Sequence, residues 1–225
     1  MGFIFEERCS DSPFLETVIR GRTEGEGSTI RPAESHWHMV IARYKGGERA
    51  ILTGALTTSG IVPYTEGVEL LWIKFALGTF LPSLPARKLL DRETILPEAA
   101  CHSFWLNSST WQLPDYDNVE TFVAQLVRDG TLAHDPAVHA AIQGHRQEIA
   151  PRTLRHRFLR ATGLSHSHIH QIERAQQAAT LLRQGISVLD TAYQVGYYDQ
   201  PHLTRALKQW VGHTPAQLIR TSTPQ

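Results

Sequence analysis

The sequence is poor in features that mark whole classes of protein. Its 225 residues include two cysteines, Cys9 and Cys101, too few for the disulfide framework of a secreted domain. No apolar run approaches the roughly 20 residues that cross a bilayer. The opening MGFIFEERCS is acidic where a signal peptide is basic. These absences predict a cytoplasmic protein of one or two domains with no membrane partner.

Net charge is also absent, because 22 basic residues balance 22 acidic ones. Residues 1–118 hold 11 Lys and Arg against 15 Asp and Glu, a net charge of −4. Residues 119–225 hold 11 against 7, a net charge of +4, together with nine of the 12 histidines. The asymmetry indicates an acidic domain joined to a basic module that binds nucleic acid.

Short apolar runs separated by turn residues fill the first half. Residues 37–44 and 49–56 flank KGGE, a hairpin signal in which Gly46 and Gly47 allow positive φ. The run at 68–77 alternates as a strand does, and SFWLNSSTWQLP predicts two short strands around Asn107 and Ser108. The proline-containing TFLPSLPARKLLD (residues 79–91) predicts a loop.

The second half is helical in pattern and contains one helix twice, at an offset of 49 residues. The copies read PRTLRHRFLRATGLS (residues 151–165) and QPHLTRALKQWVGHT (residues 200–214). Each has an apolar face, a terminating glycine and a hydroxyl residue that caps the following helix. Cationic and amide side chains lie between the apolar positions. Two similar helices of this kind predict binding to a repetitive polyanion, double-stranded DNA.

The segments around these copies predict how they are presented. Residues 119–127 form one amphipathic helix, and residues 165–184 form a long helix between the two copies. Ser187 starts a further helix, Gly196 makes a tight turn, and Asp199 caps the second copy. A helix, a glycine turn and a helix with exposed polar residues at its start make a helix-turn-helix unit.

The run GISVLDTAYQVGYYDQPHLTRALKQWVGHTPAQLIR (residues 185–220) strongly resembles the C-terminal signature of AraC/XylS-type transcription regulators. TLRHRFLRATGLS resembles the first recognition helix of that domain, and the resemblance covers residues 119–220. It implies recognition helices in successive major-groove segments, and an N-terminal domain that senses a small-molecule effector or forms a homodimer. RNA polymerase is a further implied partner, with either activation or repression as the outcome.

The predicted fold is therefore α+β. A β-rich regulatory or dimerisation domain, either a small β-barrel or an open β-sandwich, occupies residues 1–114. An all-α domain with two helix-turn-helix units joined by a long helix occupies residues 115–225.

The sequence departs from the family pattern at four places. The first unit carries GHRQEI between its helices where a tight turn is usual, and Ala150 replaces the usual Ser, so that an N-cap is missing before Pro151. In the second unit, Thr191 replaces a branched aliphatic residue and Tyr197 replaces the common Phe.

Base-reading residues are the exposed ones in the first two turns of each recognition helix. Arg205 can bind guanine and Gln200 can bind adenine through paired hydrogen bonds, whereas other polar side chains on the helices suit phosphates. The predicted DNA-binding residues are Arg152, Arg155, His156, Arg160, Gln200, His202, Thr204, Arg205 and Lys208.

A metal site was the competing hypothesis for the first half. His36 and His38 form an HxH pair whose imidazoles share one face of a strand. A metal-binding cupin carries a glutamate four or five residues later, where this chain has Ala42 and Arg43. We therefore predict no metal, no cofactor and no catalytic residue.

Five aromatic residues of the first half could form a ligand pocket or an ordinary core, and core is favoured for each. They are Trp72, Phe75, Phe104, Trp105 and Trp111.

Three functions stay open at this point. The first is a DNA-binding transcription regulator, which is not an enzyme. The second is a metal-dependent, cupin-like barrel enzyme with an accessory helical domain. The third is a protein-interaction module that has lost DNA binding.

Overall fold

The computed structural model describes residues 3–145 and 148–220. Among the residues it describes, no helix has both the length and the apolar character that crossing a membrane requires. The strands are β1 (Phe3–Cys9), β2 (Leu15–Thr23), β3 (Gly27–Arg31), β4 (His38–Tyr44), β5 (Gly47–Thr53), β6 (Gly60–Tyr64), β7 (Glu69–Phe75), β8 (Thr79–Phe80), β9 (Glu93–Ile95), β10 (Glu98–Ala99), β11 (Ser103–Leu106), β12 (Ser109–Gln112) and β13 (Ala133–His134). The helices are α1 (Ala86–Leu89), α2 (Val119–Arg128), α3 (Pro136–Ile142), α4 (Pro151–Thr162), α5 (His166–Arg183), α6 (Val188–Gln194), α7 (Gln200–Trp210) and α8 (Pro215–Arg220).

The main sheet has six antiparallel strands in the order β1-β2-β7-β4-β5-β9. Because β1 and β9 are its two ends, the sheet is open, and of the two predicted forms it is not the closed barrel. Leu71, Ile73 and Phe75 of β7 are buried on one face, while the residues between them are only partly covered. This is the alternation that the sequence predicts.

The predicted hairpins are confirmed. In the β4–β5 hairpin Gly47 has a φ of 147°, whereas Gly46, for which the sequence also predicts positive φ, does not have one. The β11–β12 turn places Asn107 at 52° and Ser108 at 63°. Positive φ at both central residues is what a two-residue type I′ turn requires.

The loop predicted for residues 79–91 is partly wrong, because it contains β8 and α1. Leu81 and Leu89 anchor this segment in the core, with 3 % and 4 % of their surfaces exposed. An element of two to four residues has too few positions to show a period, so the sequence pattern could not predict it.

The core beneath the main sheet includes α2. Val119, Val123 and Leu126 of that helix are fully buried among the sheet's apolar side chains. The Phe122 ring meets the rings of Phe104 and Trp111, each at 6.3 Å between ring centres. The basic half of the sequence therefore supplies part of the core of the β-rich half.

The chain folds into two compact units, each built from several stretches. The first comprises residues 1–27, 36–55 and 63–166, and the second comprises residues 28–35, 56–62 and 167–225. The predicted division after residue 114 does not coincide with these units, since α2 packs into the core of the first. That division stays a prediction about where the sequence changes character.

The second unit has its own core. Its buried apolar residues come from α5, α6, α7 and α8. Leu182, Leu203 and Leu207 are fully buried at its centre, and Leu218 of α8 covers it with 1 % of its surface exposed. This core holds α6 and α7 against the long helix.

Candidate nucleic-acid interface

The second helix-turn-helix unit has a capped helix on each side of its turn. The Ser187 hydroxyl accepts a hydrogen bond from the Asp190 N–H at 3.1 Å, which starts α6. Gly196 makes the turn at a φ of 73°. The Asp199 carboxylate accepts a hydrogen bond from the His202 N–H at 2.7 Å, which starts α7. These caps satisfy backbone donors that have no partner within the helix.

The side chains of α7 divide into a buried face and an exposed face. Leu203, Ala206 and Leu207 are buried. Of the predicted DNA-binding residues on this helix, Gln200, Arg205 and Lys208 are exposed, whereas His202 and Thr204 are half-buried.

His202 is the predicted reader with the most restricted setting. Its ring meets the Tyr197 ring edge-on, with 5.0 Å between centres. The contact fixes the imidazole at the edge of the reading face.

The turn before α7 is joined to the long helix. Arg174 of α5 donates a hydrogen bond to the carbonyl oxygen of Gly196 at 3.4 Å. Tyr197, the next residue, is buried, with 5 % of its surface exposed. Burial raises the pKa of its phenol, while the hydrogen bond and charge of Arg174 act in the opposite direction. The phenol therefore stays neutral at ordinary pH.

The first helix-turn-helix unit, formed by α3 and α4, is built differently at its turn. Asp135 caps α3 by accepting a hydrogen bond from the Ala137 N–H at 3.1 Å. Ala150 occupies the N-cap of α4 without a side-chain hydrogen bond, as its sequence predicts. Residues 143–150 join the two helices, and residues 146–147 of the GHRQEI insertion lie outside the described residues.

The predicted DNA-binding residues of α4 fall into two groups. Arg152, Arg155 and His156, near its start, are exposed. Arg160 is also exposed, but its guanidinium carbon lies 4.9 Å from the centre of the Phe80 ring. Its charge is therefore directed to the face of the Phe80 ring, a contact that the sequence pattern did not predict.

The end of α4 packs closely against α1, within the same compact unit. A Cβ built on Gly163 would lie 3.1 Å from backbone atoms of Ala86 and Arg87. Gly163 also has a φ of 76°, so this position needs glycine both for its conformation and for its close approach. Nearby, Arg157 forms an ion pair with Asp135 at 3.3 Å, and this distance joins its NH1 to a carboxylate oxygen.

Sequence reasoning missed three exposed apolar or aromatic side chains in the second helix-turn-helix unit. Leu189 and Tyr193 on α6 are 71 % and 88 % exposed, and Tyr198 beside the Asp199 cap is 94 % exposed. The spacing of Leu189 and Tyr193, four residues apart, places them on one face of α6. The sequence does show that Leu189 and Tyr193 fall outside the apolar stripe of α6, and this position could have identified them.

His36, the first histidine of the HxH pair, has a protein partner. His36 forms an ion pair with Glu16, which also binds Lys74 at 3.1 Å. Burial opposes ionisation of Glu16, but the hydrogen bond and charge of His36 and the charge of Lys74 lower its pKa to about 2. Over the described residues, no group of three or more His, Cys, Asp or Glu side chains could hold a metal ion.

The five aromatic candidates differ in their exposure. Phe75 and Phe104 are core residues, with 0 % and 1 % of their surfaces exposed, and Trp105 is 45 % exposed. None of the five lines the open cavity of about 480 Å³ in the first unit.

Comparison with known proteins agrees with this geometry. Residues 145–221 match the family model described as a helix-turn-helix domain. The chain is 31 % identical over 131 residues to the HTH-type transcriptional regulator RipA of Corynebacterium glutamicum. The aligned part is 58 % of this chain and 38 % of RipA, so the chain spans about two fifths of that relative. The first match is to a helix-turn-helix domain, and the second is to a transcriptional regulator.

Two solved structures of ToxT from Vibrio cholerae resemble the whole chain at low identity. One, bound to (E)-4-(8-methylnaphthalen-1-yl)but-3-enoic acid, gives a TM-score of 0.43 at 12 % identity and covers 99 % of this chain and 100 % of ToxT. The other gives 0.37 at 13 % identity and covers 100 % of both chains.

Proposed function

We propose that this chain, whose residues 145–221 match a helix-turn-helix domain, is a sequence-specific DNA-binding transcription regulator of AraC type. The observation that carries the proposal is the exposed polar edge at the start of α7. There the Asp199 cap, the glycine turn and the buried Leu203 present Gln200 and Arg205 to solvent. A helix that enters the major groove contacts bases with these positions.

In the proposed complex the residues of α7 have distinct roles. Arg205 binds guanine O6 and N7, and Gln200 binds adenine N6 and N7. His202 donates or accepts one hydrogen bond at the side of the groove. Thr204 and Lys208 bind phosphates and set the register of the helix.

The first helix-turn-helix unit contributes to DNA binding in the same way, through Arg152, Arg155 and His156 of α4. Their exposure supports this part of the proposal. Because Arg160 is engaged by Phe80, we propose that it binds phosphate only after leaving that ring. The two reading helices then occupy successive major-groove segments.

The proposal extends to the β-rich half of the chain as an effector-binding domain. Its support is the cavity of about 480 Å³, whose wall carries residues of β1, β2 and β7 together with residues 115–117. Homodimer formation, contact with RNA polymerase and a cytoplasmic location belong to the same proposal.

Selection of bound sequences from random double-stranded DNA tests the function. We expect a recurrent site with two protected segments, and an affinity that falls steeply as salt rises, because phosphate binding releases counterions. A matched selection with the double variant Gln200→Ala and Arg205→Ala should lose sequence preference in one segment. Failure to enrich any sequence, or an affinity that does not change with salt, would contradict the proposal.

A further inference from the structure

The C-terminal end of α7 is capped by residues from far earlier in the chain. The Ser59 N–H donates to the carbonyl oxygen of Gln209 at 2.8 Å. The Ser59 hydroxyl lies 3.0 Å from that oxygen and 3.2 Å from the carbonyl oxygen of Lys208, and donates to this pair. The Ala33 N–H donates to the carbonyl oxygen of Trp210 at 2.7 Å. The last four carbonyl groups of a helix have no partner within it, and here three receive one from outside.

These donors belong to a connected piece of structure, which we call the helix clamp, made of residues 28–35 and 56–62. Both stretches lie in the same compact unit as α7. Glu34 and Leu56 join them through two backbone hydrogen bonds of 3.0 and 2.7 Å. The Gln176 side chain of α5 donates to the Ala33 carbonyl oxygen at 2.7 Å, so that the clamp is tied to the long helix as well.

The clamp also lies in direct contact with the backbone after α7. A Cβ built on Gly212 would lie 2.5 Å from Cγ2 of Ile30 and 3.2 Å from the Ser59 side chain. Gly212 has a φ of 82°, and its missing side chain leaves room for the clamp. Hydrogen bonds and close packing therefore act on the same turn.

The clamp leaves the reading edge open. It binds main-chain carbonyls at residues 208–210, while the side chains of Gln200, Arg205 and Lys208 stay exposed. A contact at one end of a helix that leaves the other end free constrains the helix position without blocking a ligand. The clamp can therefore position α7 without covering the side chains that would contact DNA.

Resting on the proposed function, we propose that the helix clamp positions α7 for the major groove, with Ser59 and Ala33 as positioning residues. Residues 28–35 and 56–62 belong by sequence to the β-rich half. These two stretches of the β-rich half therefore set how accurately α7 reads DNA. The hydroxyl of Ser59 is the part of the clamp that substitution can remove with least disturbance.

The test uses the full chain and a DNA site selected by the wild-type protein. We expect Ser59→Ala to weaken binding about threefold to tenfold, the effect of losing one hydrogen bond that orients the helix. The loss of protection should be confined to the DNA segment that α7 covers. Ser59→Thr keeps the hydroxyl and should restore both affinity and footprint, and Thr58→Ala, exposed next to it, should change neither.

Amide hydrogen exchange supplies a second measurement on the free protein. The Ser59 amide, bound to α7, should exchange more slowly than the Thr58 amide. Equal exchange of the two amides would overturn the clamp itself. Equal DNA binding by Ser59→Ala and wild type, or a uniform loss over both segments, would overturn its positioning role while DNA binding stands. A wild-type protein that selects no DNA overturns the proposed function and this proposal with it.

Discussion

The guanidinium carbon of Arg174 lies 4.2 Å from the centre of the Tyr197 ring. The same side chain reaches the carbonyl oxygen of Gly196, so one residue of α5 holds both positions of the turn that precedes α7. A cation over a buried aromatic ring stabilises more than it does at an exposed one, because less water competes for the charge. The geometry of the second helix-turn-helix unit thus depends on a residue outside it.

We therefore expect Arg174→Ala to lower the free energy of unfolding by about 1–2 kcal/mol, through loss of the cation–π contact and of the hydrogen bonds to Gly196 and Gln171. Urea denaturation measures this change. Arg183→Ala, in the exposed last turn of the same helix, is the matched control and should change stability by less than about 0.5 kcal/mol. Equal effects of the two variants would contradict the role assigned to Arg174.

Thr191 is a fully buried residue whose hydroxyl has no hydrogen-bond partner among the described residues. Valine has nearly the same shape and no hydroxyl to desolvate, so Thr191→Val should raise the free energy of unfolding by about 1 kcal/mol. Thr162→Val is the matched control. Its hydroxyl donates to the Phe158 carbonyl oxygen at 2.8 Å and accepts from the Leu164 N–H at 3.0 Å.

The control should lose stability, by about 1–3 kcal/mol, because valine leaves the buried Leu164 N–H without this acceptor. Thermal and urea unfolding of the two variants side by side give the comparison. If both variants changed the free energy of unfolding in the same direction, burial alone, and not hydrogen bonding, would govern the effect of replacing threonine by valine at these sites.

The ion pair between Arg8 and Glu120 makes stability depend on pH. The hydrogen bond from Arg8 is the largest cause that lowers the pKa of Glu120, from 4.5 to about 2, and burial opposes it. A carboxylate whose pKa is lowered on folding stabilises the protein above its unfolded value. This contribution is complete above about pH 4.5 and is lost as the pH falls towards 2.

Glu120→Gln should therefore lower the melting temperature at pH 6 and converge with wild type near pH 2. Melting curves at intervals between these values follow the convergence. Glu66→Gln, an exposed glutamate of a turn, is the control and should leave the pH dependence unchanged. A constant difference between Glu120→Gln and wild type across the range would exclude the ion pair as its source.

Arg205 is the predicted guanine reader of α7. Arg205→Ala should cost about 1–3 kcal/mol of binding free energy on the selected site and relax base preference at one position. Titration of the selected site and of random DNA separates base reading from phosphate contact. An equal loss on both DNAs would mean that Arg205 only neutralises charge, and Arg183→Ala shows how much any exposed arginine contributes.

Much of the fold follows from local pattern. The alternation of β7, the hairpin turns and the helix caps at Ser187 and Asp199 involve residues within a few positions of one another, so the sequence displays them directly. The exposed edges of α4 and α7 follow from the same helical period. The predicted DNA-binding residues lie on α4 and α7, and their part in binding DNA stays a prediction.

The remainder depends on contacts between distant residues. The sequence carries no local sign that α2 packs beneath the sheet, that Arg160 meets Phe80, or that Ser59 meets α7. An amphipathic helix shows that it has a buried face, but not which surface covers it. These partners are fixed by tertiary packing, which a single sequence does not display.

The contact between Ser59 and Gln209 joins residues 150 positions apart. Contacts between residues so far apart in sequence raise the contact order of the chain, which slows folding. During synthesis, residues 56–62 emerge well before the helix they hold. The support that the helix clamp gives to α7 can therefore form only after α7 itself has left the ribosome.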